Sequence, residues 1–274
     1  MTCLLRVKFG PVNPLQRHWS APEARLLSLL DLAYRPFRQH RPDGMWVFGI
    51  QKSGTTVFAR ALAEATGKTC LLDTPMLWDS WHAPWQAEPL GALMRRHPVT
   101  FSPAIWKEPS ATFFPEAALS QTTRKRHILL IREPAANIRS ALDQWGVSPT
   151  STAFPAALRR PYVTYFQSFP GPPALAMAQR WNDAHHHGIW TDPSVAVIRY
   201  EQFIAEPDRI LAQAAAHLGW PLRHSAAPIL QRQHQPAGAN RHRPLEDYFG
   251  TDLLGQIRHA TAPTYERLLA RALS

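Results

Sequence analysis

Cysteine is nearly absent from this sequence: Cys3 and Cys70 are the only two in 274 residues. Two thiols make neither a disulfide framework nor a metal-ligand set, and their expected roles are terminal and core packing. No stretch approaches the ~20 apolar residues of a membrane span. The N-terminus shows no signal-peptide core, because Arg6, Lys8 and Pro11 interrupt any apolar run. The expectation is a cytoplasmic protein without a transmembrane segment. Internal repeats are missing, and the 26 prolines and 13 histidines are dispersed. Long runs of one charge are missing as well. The formal net charge is +10, yet no Lys/Arg block is long enough to be a nucleic-acid arm. That charge suits anionic ligands or acidic surfaces without choosing between them. Apolar residues, by contrast, make up 45% of the chain, enough at this length for the core of one α/β domain.

The most informative stretch is MWVFGIQKSGTTVFARALAE, residues 45–64. Trp46 to Ile50 is an apolar run that reads as a buried strand. From Thr56 to Ala65, Val57, Ala61, Leu62 and Ala65 recur at helical spacing. The tight polar turn Gln51-Lys52-Ser53-Gly54-Thr55-Thr56 lies between them. A strand, a glycine turn and a helix start form an anion cradle, because the first helical N–H groups have no partner in the helix and its positive dipole end faces the turn. Gly54 permits close approach of the backbone, Thr55 and Thr56 add hydroxyls, and Lys52 adds a mobile charge. The ordinary nucleotide loop, G-x-x-x-x-G-K-[ST], places lysine after the second glycine. Gly49 and Gly54 have that separation, but Thr55 stands where the lysine belongs and Lys52 sits inside the loop. The plain alternative is a glycine turn between a core strand and a core helix.

Residues 1–44 read as a basic helical extension, with Ser20 as N-cap and an apolar face of Leu26, Leu27, Leu29, Leu30, Leu32 and Ala33. It packs against the domain's flank or, through Arg25, Arg35, Arg38 and Arg41, makes a weak membrane-surface contact. Residues 45–274 form the α/β domain. Cys70 to Leu72 is a short strand broken at Asp73-Thr74-Pro75, and Trp78, Trp81 and Trp85 follow with Asp79 and His82 among them. An apolar segment runs from Val99 to Trp106 into Lys107-Glu108-Pro109, and His127 to Ile131 is a clear buried strand ending at Arg132-Glu133-Pro134. Ser140 stands eight residues after Arg132, inside the helix predicted from Ala135 to Trp145. Residues 146–173, rich in proline, hydroxyls and aromatics, are too long for an idle connection and read as a lid. A helix from Leu175 to Trp190 carries His185-His186-His187, which point different ways and make no metal site. The strand Ser194 to Tyr200 follows. A closing helix spans Asp252 to Leu273, with Pro263 as a point of interruption.

The loop with its internal lysine resembles that of sulfotransferases that use 3′-phosphoadenosine 5′-phosphosulfate (PAPS), P-K-S-G-T-T-W, departing at Gln51 and Val57. R-E-P-A-A-N-I-R-S at 132–140 is similar to that family's R-[DNE]-P-x-x-x-x-x-S. Lys107-Glu108-Pro109 resembles its Lys-Asp-Pro segment, and V-I-R-Y-E-Q-F-I-A-E-P, then H-L-G-W-P, resembles R-Y-E-D-L-x-x-x-P, then F-L-G. The resemblance covers about residues 45–270 and implies a P-loop-like three-layer fold, a mostly parallel sheet flanked by helices. It implies transfer of a sulfuryl group from PAPS, leaving 3′-phosphoadenosine 5′-phosphate (PAP), to a hydroxyl or amine of a small-molecule or glycan acceptor, without a metal. Lys52, Ser53, Gly54, Thr55 and Thr56 would hold the 5′-phosphosulfate, Arg132 and Ser140 the 3′-phosphate, and Tyr200 the adenine. Lys107 would hold an anionic oxygen. The acceptor side would need a base. Asp73, at a strand end, is favoured over Asp79, His82 and Glu108. Arg241 and Arg243 stand where a late basic loop closes over the 3′-phosphate in relatives, although the letters there do not match. Two rivals remain: a kinase or NTPase of related fold, and a non-enzymatic polyanion-binding protein. The acceptor and the oligomeric state are not legible.

Overall fold

Short, continuously apolar strands dictate a sheet buried on both faces, because successive side chains point to opposite sides. The computed structural model describes residues 29–33, 43–73, 87–152, 171–231 and 240–273. In chain order its elements are β1 (Met45–Phe48), α1 (Thr55–Thr66), β2 (Cys70–Leu72), α2 (Ala87–Arg96), β3 (Ile105–Lys107), α3 (Pro115–Leu119), β4 (His127–Ile131), α4 (Pro134–Trp145), α5 (Pro173–His185), β5 (Val195–Arg199), α6 (Tyr200–Ala205), α7 (Pro207–Leu218), α8 (Ala227–Leu230), α9 (Leu245–Phe249) and α10 (Thr251–Leu269). A 3₁₀ turn, Pro109–Phe113, links β3 to α3, and another, Gly188–Thr191, precedes β5.

The strands lie in the order β2-β3-β1-β4-β5, and each described pairing is parallel. Met45, Val47, Ile105, Ile128, Leu130 and Ile198 face one layer, with Phe58 and Leu62 of α1 and Leu211 of α7. Trp46, Phe48, Trp106, Leu129, Ile131 and Val197 face the other, with Trp181 of α5 and Leu268 of α10. The chain leaves β1 toward β2 on one side and leaves β4 toward β5 on the other. The crevice beyond the carboxyl ends of β1 and β4 is therefore the topological switch point, where α/β sheets bind ligands. No described helix is long and apolar enough to cross a membrane.

A histidine completes the centre of the sheet. The buried His127 accepts from the Trp46 N–H through Nδ1 at 3.1 Å, which leaves Nε2 to donate to the Arg124 carbonyl at 3.0 Å. Only the neutral ring can do both. Burial pushes the His127 pKa down to about 4, and that of His185, wholly buried against Trp181, down to about 3. The unfolded chain protonates both rings near pH 6.5, so their contribution to stability is complete above that pH. It declines as pH falls toward those native values. For His127 alone the loss is on the order of 3 kcal/mol. Urea midpoints should fall from pH 7 to pH 4. His127→Asn still accepts from Trp46 but does not titrate, so its slope should be shallower; an equal slope would refute the neutral ladder-completing role.

Three segments differ from the sequence reading. Residues 29–33 are helical, but Leu29 and Leu32 are exposed and the buried face is Asp31. The Asp31 carboxylate accepts from Val99 N–H (2.7 Å), Thr100 N–H (3.1 Å) and Thr100 Oγ1 (2.7 Å), and meets His97 Nδ1 at 3.1 Å. Those donors outweigh the apolar spacing. The helix expected to reach Trp190 ends at His185, and the following tryptophan enters the core from the second 3₁₀ turn. Helix α10 runs through Pro263, which is exposed, so its missing N–H falls on the solvent side.

Candidate active site

The turn after β1 is built from backbone conformations that most residues avoid. Gly49 has φ 136, and a Cβ there would lie 2.5 Å from the Leu130 carbonyl oxygen and 2.6 Å from Thr55 Cγ2. Its N–H donates to Thr112 Oγ1 at 2.8 Å. Ser53 N–H donates to the Ile50 carbonyl at 3.1 Å, closing the turn. Lys52 is left-handed at φ 71. Gly54 is the N-cap of α1 at φ 86, and a Cβ on it would stand 2.2 Å from Tyr200 Cδ2. No side chain caps α1 and its first turn has no acidic residue. Helix α4 differs, because Glu133 accepts the Ala136 N–H at 2.5 Å. The start of α1 thus keeps its positive end for an anion from outside, an interaction worth about 0.3–2 kcal/mol.

Helices α4 and α5 hold this turn from behind. Asn137 Nδ2 donates to the Gln51 carbonyl (3.0 Å) and to Ser53 Oγ (3.1 Å). Arg132 donates to the Lys52 carbonyl at 3.0 Å, and its guanidinium lies 5.0 Å over the Tyr200 ring. Arg180 donates to Gln51 Oε1 and stands 4.9 Å over the Phe113 ring. Glu201 accepts the Glu133 N–H at 2.9 Å, tying α6 to the start of α4. Ser140 is half-buried on α4, three residues after Asn137 and so on the same face.

Charge is concentrated here. Burial, then the Arg132 guanidinium, then the Lys107 ammonium pull the Lys52 pKa down to about 8. Lys107 ends β3 and, in register with Leu72, lies beside the end of β2. Its ammonium donates to Asp73 Oδ1 at 2.5 Å, both side chains being 5% exposed. Asp73 is left-handed at φ 47, and its N–H returns to the Lys107 carbonyl at 2.8 Å. The crevice therefore gathers two mutually repelling cations, an uncapped helix start and a buried ion pair. That set can bind an oxyanion and place a carboxylate beside it.

No family model matches the sequence, and no curated protein matches it. Among solved structures, sulfotransferase STF9 from Mycobacterium avium superposes with a TM-score of 0.57 over 89% of this chain and 82% of its own, at 12% identity. The chain has the sulfotransferase fold. The sulfotransferase from Alicyclobacillus acidocaldarius (TM-score 0.48, 16% identity, 84% of this chain and 95% of its own) also matches. So does mouse SULT7A1 complexed with PAP (TM-score 0.39, 14% identity, 88% of each chain).

Within this sulfotransferase fold, Lys52 to Thr56, Arg132 and Tyr200 lie together at the ends of β1, β4 and β5, with Ser140 on the helix behind them. Glu108, considered as a base, is instead a cap: buried, it accepts from Ser110 N–H at 3.2 Å and Ser110 Oγ at 2.7 Å. Asp79 and His82 lie outside the described residues, as does most of the expected lid, 153–170. Arg241 and Arg243 are exposed. Their segment docks on α4: the Arg243 carbonyl accepts from Arg139 at 2.5 Å and Asn240 Nδ2 donates to Asp143 at 2.7 Å. Among the described residues no group of three His, Cys, Asp or Glu side chains is placed to hold a metal ion.

Sequence reasoning missed Asn137 and Arg180. Asn137 hides at an unspecified position of the arginine–serine motif. Arg180 carried a usable signal, a lone arginine among Ala176, Met177, Ala178 and Trp181, all buried.

Proposed function

We propose that this chain transfers a sulfuryl group from PAPS to a hydroxyl or amine of a small-molecule or glycan acceptor. The observation that carries this reading is the Arg132–Lys52 hydrogen bond, 3.0 Å long, which joins the two anion-binding motifs at one crevice. The lysine that belongs after the second glycine of an ATP loop is replaced by Thr55, while Lys52 stands within the turn. The residues fit a phosphosulfate: a helix start without a protein cap, a glycine that leaves room only for the Tyr200 ring, and a desolvated ammonium.

In this mechanism PAPS supplies the sulfuryl group with the 5′-phosphate as its leaving group. The N–H groups at Gly54 to Thr56 and the Thr55 and Thr56 hydroxyls hold the phosphosulfate oxygens. Arg132 and Ser140 hold the 3′-phosphate as fork and hydroxyl, and the Tyr200 face flanks the adenine. An acceptor oxygen or nitrogen forms the new bond to sulfur while the bridging S–O bond breaks and its electron pair stays on the phosphate. Lys52 neutralises that oxygen. Asp73, ion-paired with Lys107 at 2.5 Å, takes the acceptor's proton.

A thermal-shift titration tests this. PAP at about 100 times its Kd should add ~2.7 kcal/mol of apparent stability, without magnesium, and 5′-AMP should add less. Preference for ATP with magnesium would replace this reading by a kinase, and salt-sensitive binding without nucleotide preference by a polyanion-binding protein.

A pH dependence follows. Since Lys52 in the ligand-free protein loses its proton near pH 8, binding an anion above that pH should take up a proton. Affinity should then fall by up to about tenfold per pH unit above pH 8. Calorimetry in buffers of different ionisation heat measures the uptake. Lys52→Arg should abolish it, since guanidinium stays charged; absence of uptake in the wild type at pH 8.5 would separate Lys52 from the anion.

A further inference from the structure

The Lys52 Cα is pinned on both sides. A peptide unit is planar, so fixing its carbonyl fixes the plane. The plane before Lys52 is held by Asn137, through the Gln51 carbonyl, and the plane after it by Arg132, through the Lys52 carbonyl. The Gln51 side chain is held in turn by Arg180. Asn137 and Arg180 are 0% and 3% exposed and come from different helices, α4 and α5. Neither is among the residues assigned above to nucleotide or acceptor.

This pinning matters because a left-handed conformation costs an L-residue about 1–2 kcal/mol. A lysine at φ 71 in an unsupported turn would rotate its flanking planes and carry the ammonium elsewhere. The orientation of the Asn137 amide is fixed as well. Its Nδ2 faces Gln51 O and Ser53 Oγ, and a flipped amide would set its oxygen against the Gln51 carbonyl, which can only accept.

We propose that Asn137 and Arg180 are positioning residues that hold Lys52 in the left-handed conformation from which its ammonium meets the bound anion. The identity of that anion rests on the sulfuryl-transfer reading; the positioning itself does not. Arg132 and Lys107 are the cations that face Lys52 in this arrangement. An ammonium released from its pinned place moves away from both and toward solvent.

The test uses Asn137→Ala, Arg180→Met and Arg180→Lys in the full chain. Two readouts are compared: the Lys52 titration midpoint in ligand-free protein, by NMR of isotope-labelled lysine side chains, and PAPS-supported turnover. Asn137→Ala and Arg180→Met should raise the midpoint from about 8 toward the ordinary 10.5 and lower kcat about tenfold or more, with KM changed less. Arg180→Lys keeps a donor for Gln51 and should recover most of both. Asn137→Ser, whose shorter side chain replaces the amide by a hydroxyl, serves if Asn137→Ala does not fold. Variants that lose thermal stability but keep the Lys52 midpoint and kcat would overturn the proposal. If the wild type ignores PAP while the variants still raise the midpoint, positioning stands and sulfuryl transfer falls. If the wild type binds PAP and the variants leave midpoint and kcat unchanged, the reverse holds.

Discussion

Lys52→Ala is expected to reduce kcat by about 10²–10³, the scale of one lost oxyanion donor. In the proposed reaction, before the bridging bond breaks, the phosphosulfate oxygens would be shared among several backbone N–H groups at the start of α1, which has no side-chain cap. As the bond breaks, new charge collects on a single oxygen, and a mobile ammonium can follow it where a backbone amide cannot. Lys52 is half-buried and so already partly withdrawn from water, which pushes its pKa down to about 8. A charge meeting it there is screened less than one at an exposed lysine. The loss in kcat should therefore exceed the loss in PAP affinity, which the same ammonium also supports. Single-turnover kinetics with saturating donor would measure it directly. Wild-type turnover in Lys52→Ala would remove Lys52 from the chemistry.

Arg132→Ala should weaken PAP binding by roughly 1.5–3 kcal/mol, the range for hydrogen bonds to a charged group. The same side chain also anchors the Lys52 carbonyl and stacks on Tyr200, so turnover should fall in parallel. The two effects separate through ligand choice. 5′-AMP lacks the 3′-phosphate, so its affinity should suffer only from the disturbed turn. Competition between PAP and 5′-AMP would show discrimination collapsing in Arg132→Ala and partly retained in Arg132→Lys. Equal loss for both nucleotides would place the 3′-phosphate elsewhere.

Strand β1, the glycine turn, α1 and β4 were legible because periodicity and turn chemistry agreed over these stretches, with boundaries shifted by one or two residues: Met45–Phe48 against Trp46 to Ile50, and Thr55–Thr66 against Thr56 to Ala65. The parallel sheet followed from continuous apolar strands alternating with helices. What stayed hidden depends on partners distant in sequence. Nothing near Asp31 announces that its carboxylate bonds Val99 and Thr100. Glu108 reads as a base candidate until Ser110 is seen to donate to it twice. Asn137 is an ordinary helix residue by spacing, and becomes informative only once the turn after β1 is seen against its amide.

The depressed pKa of Lys52 also bears on covalent labelling. With a midpoint near 8, roughly a fifth of the molecules carry a neutral, nucleophilic amine there at pH 7.4, against about one in a thousand for an ordinary lysine. A phosphate-bearing aldehyde such as pyridoxal 5′-phosphate would be drawn to the same crevice and condense with that amine as a Schiff base. Borohydride would then fix it as a permanent tag. Peptide mapping should find the tag on Lys52 ahead of the other lysines, and an occupant of the crevice should shield it, giving a footprint that needs no acceptor and no turnover.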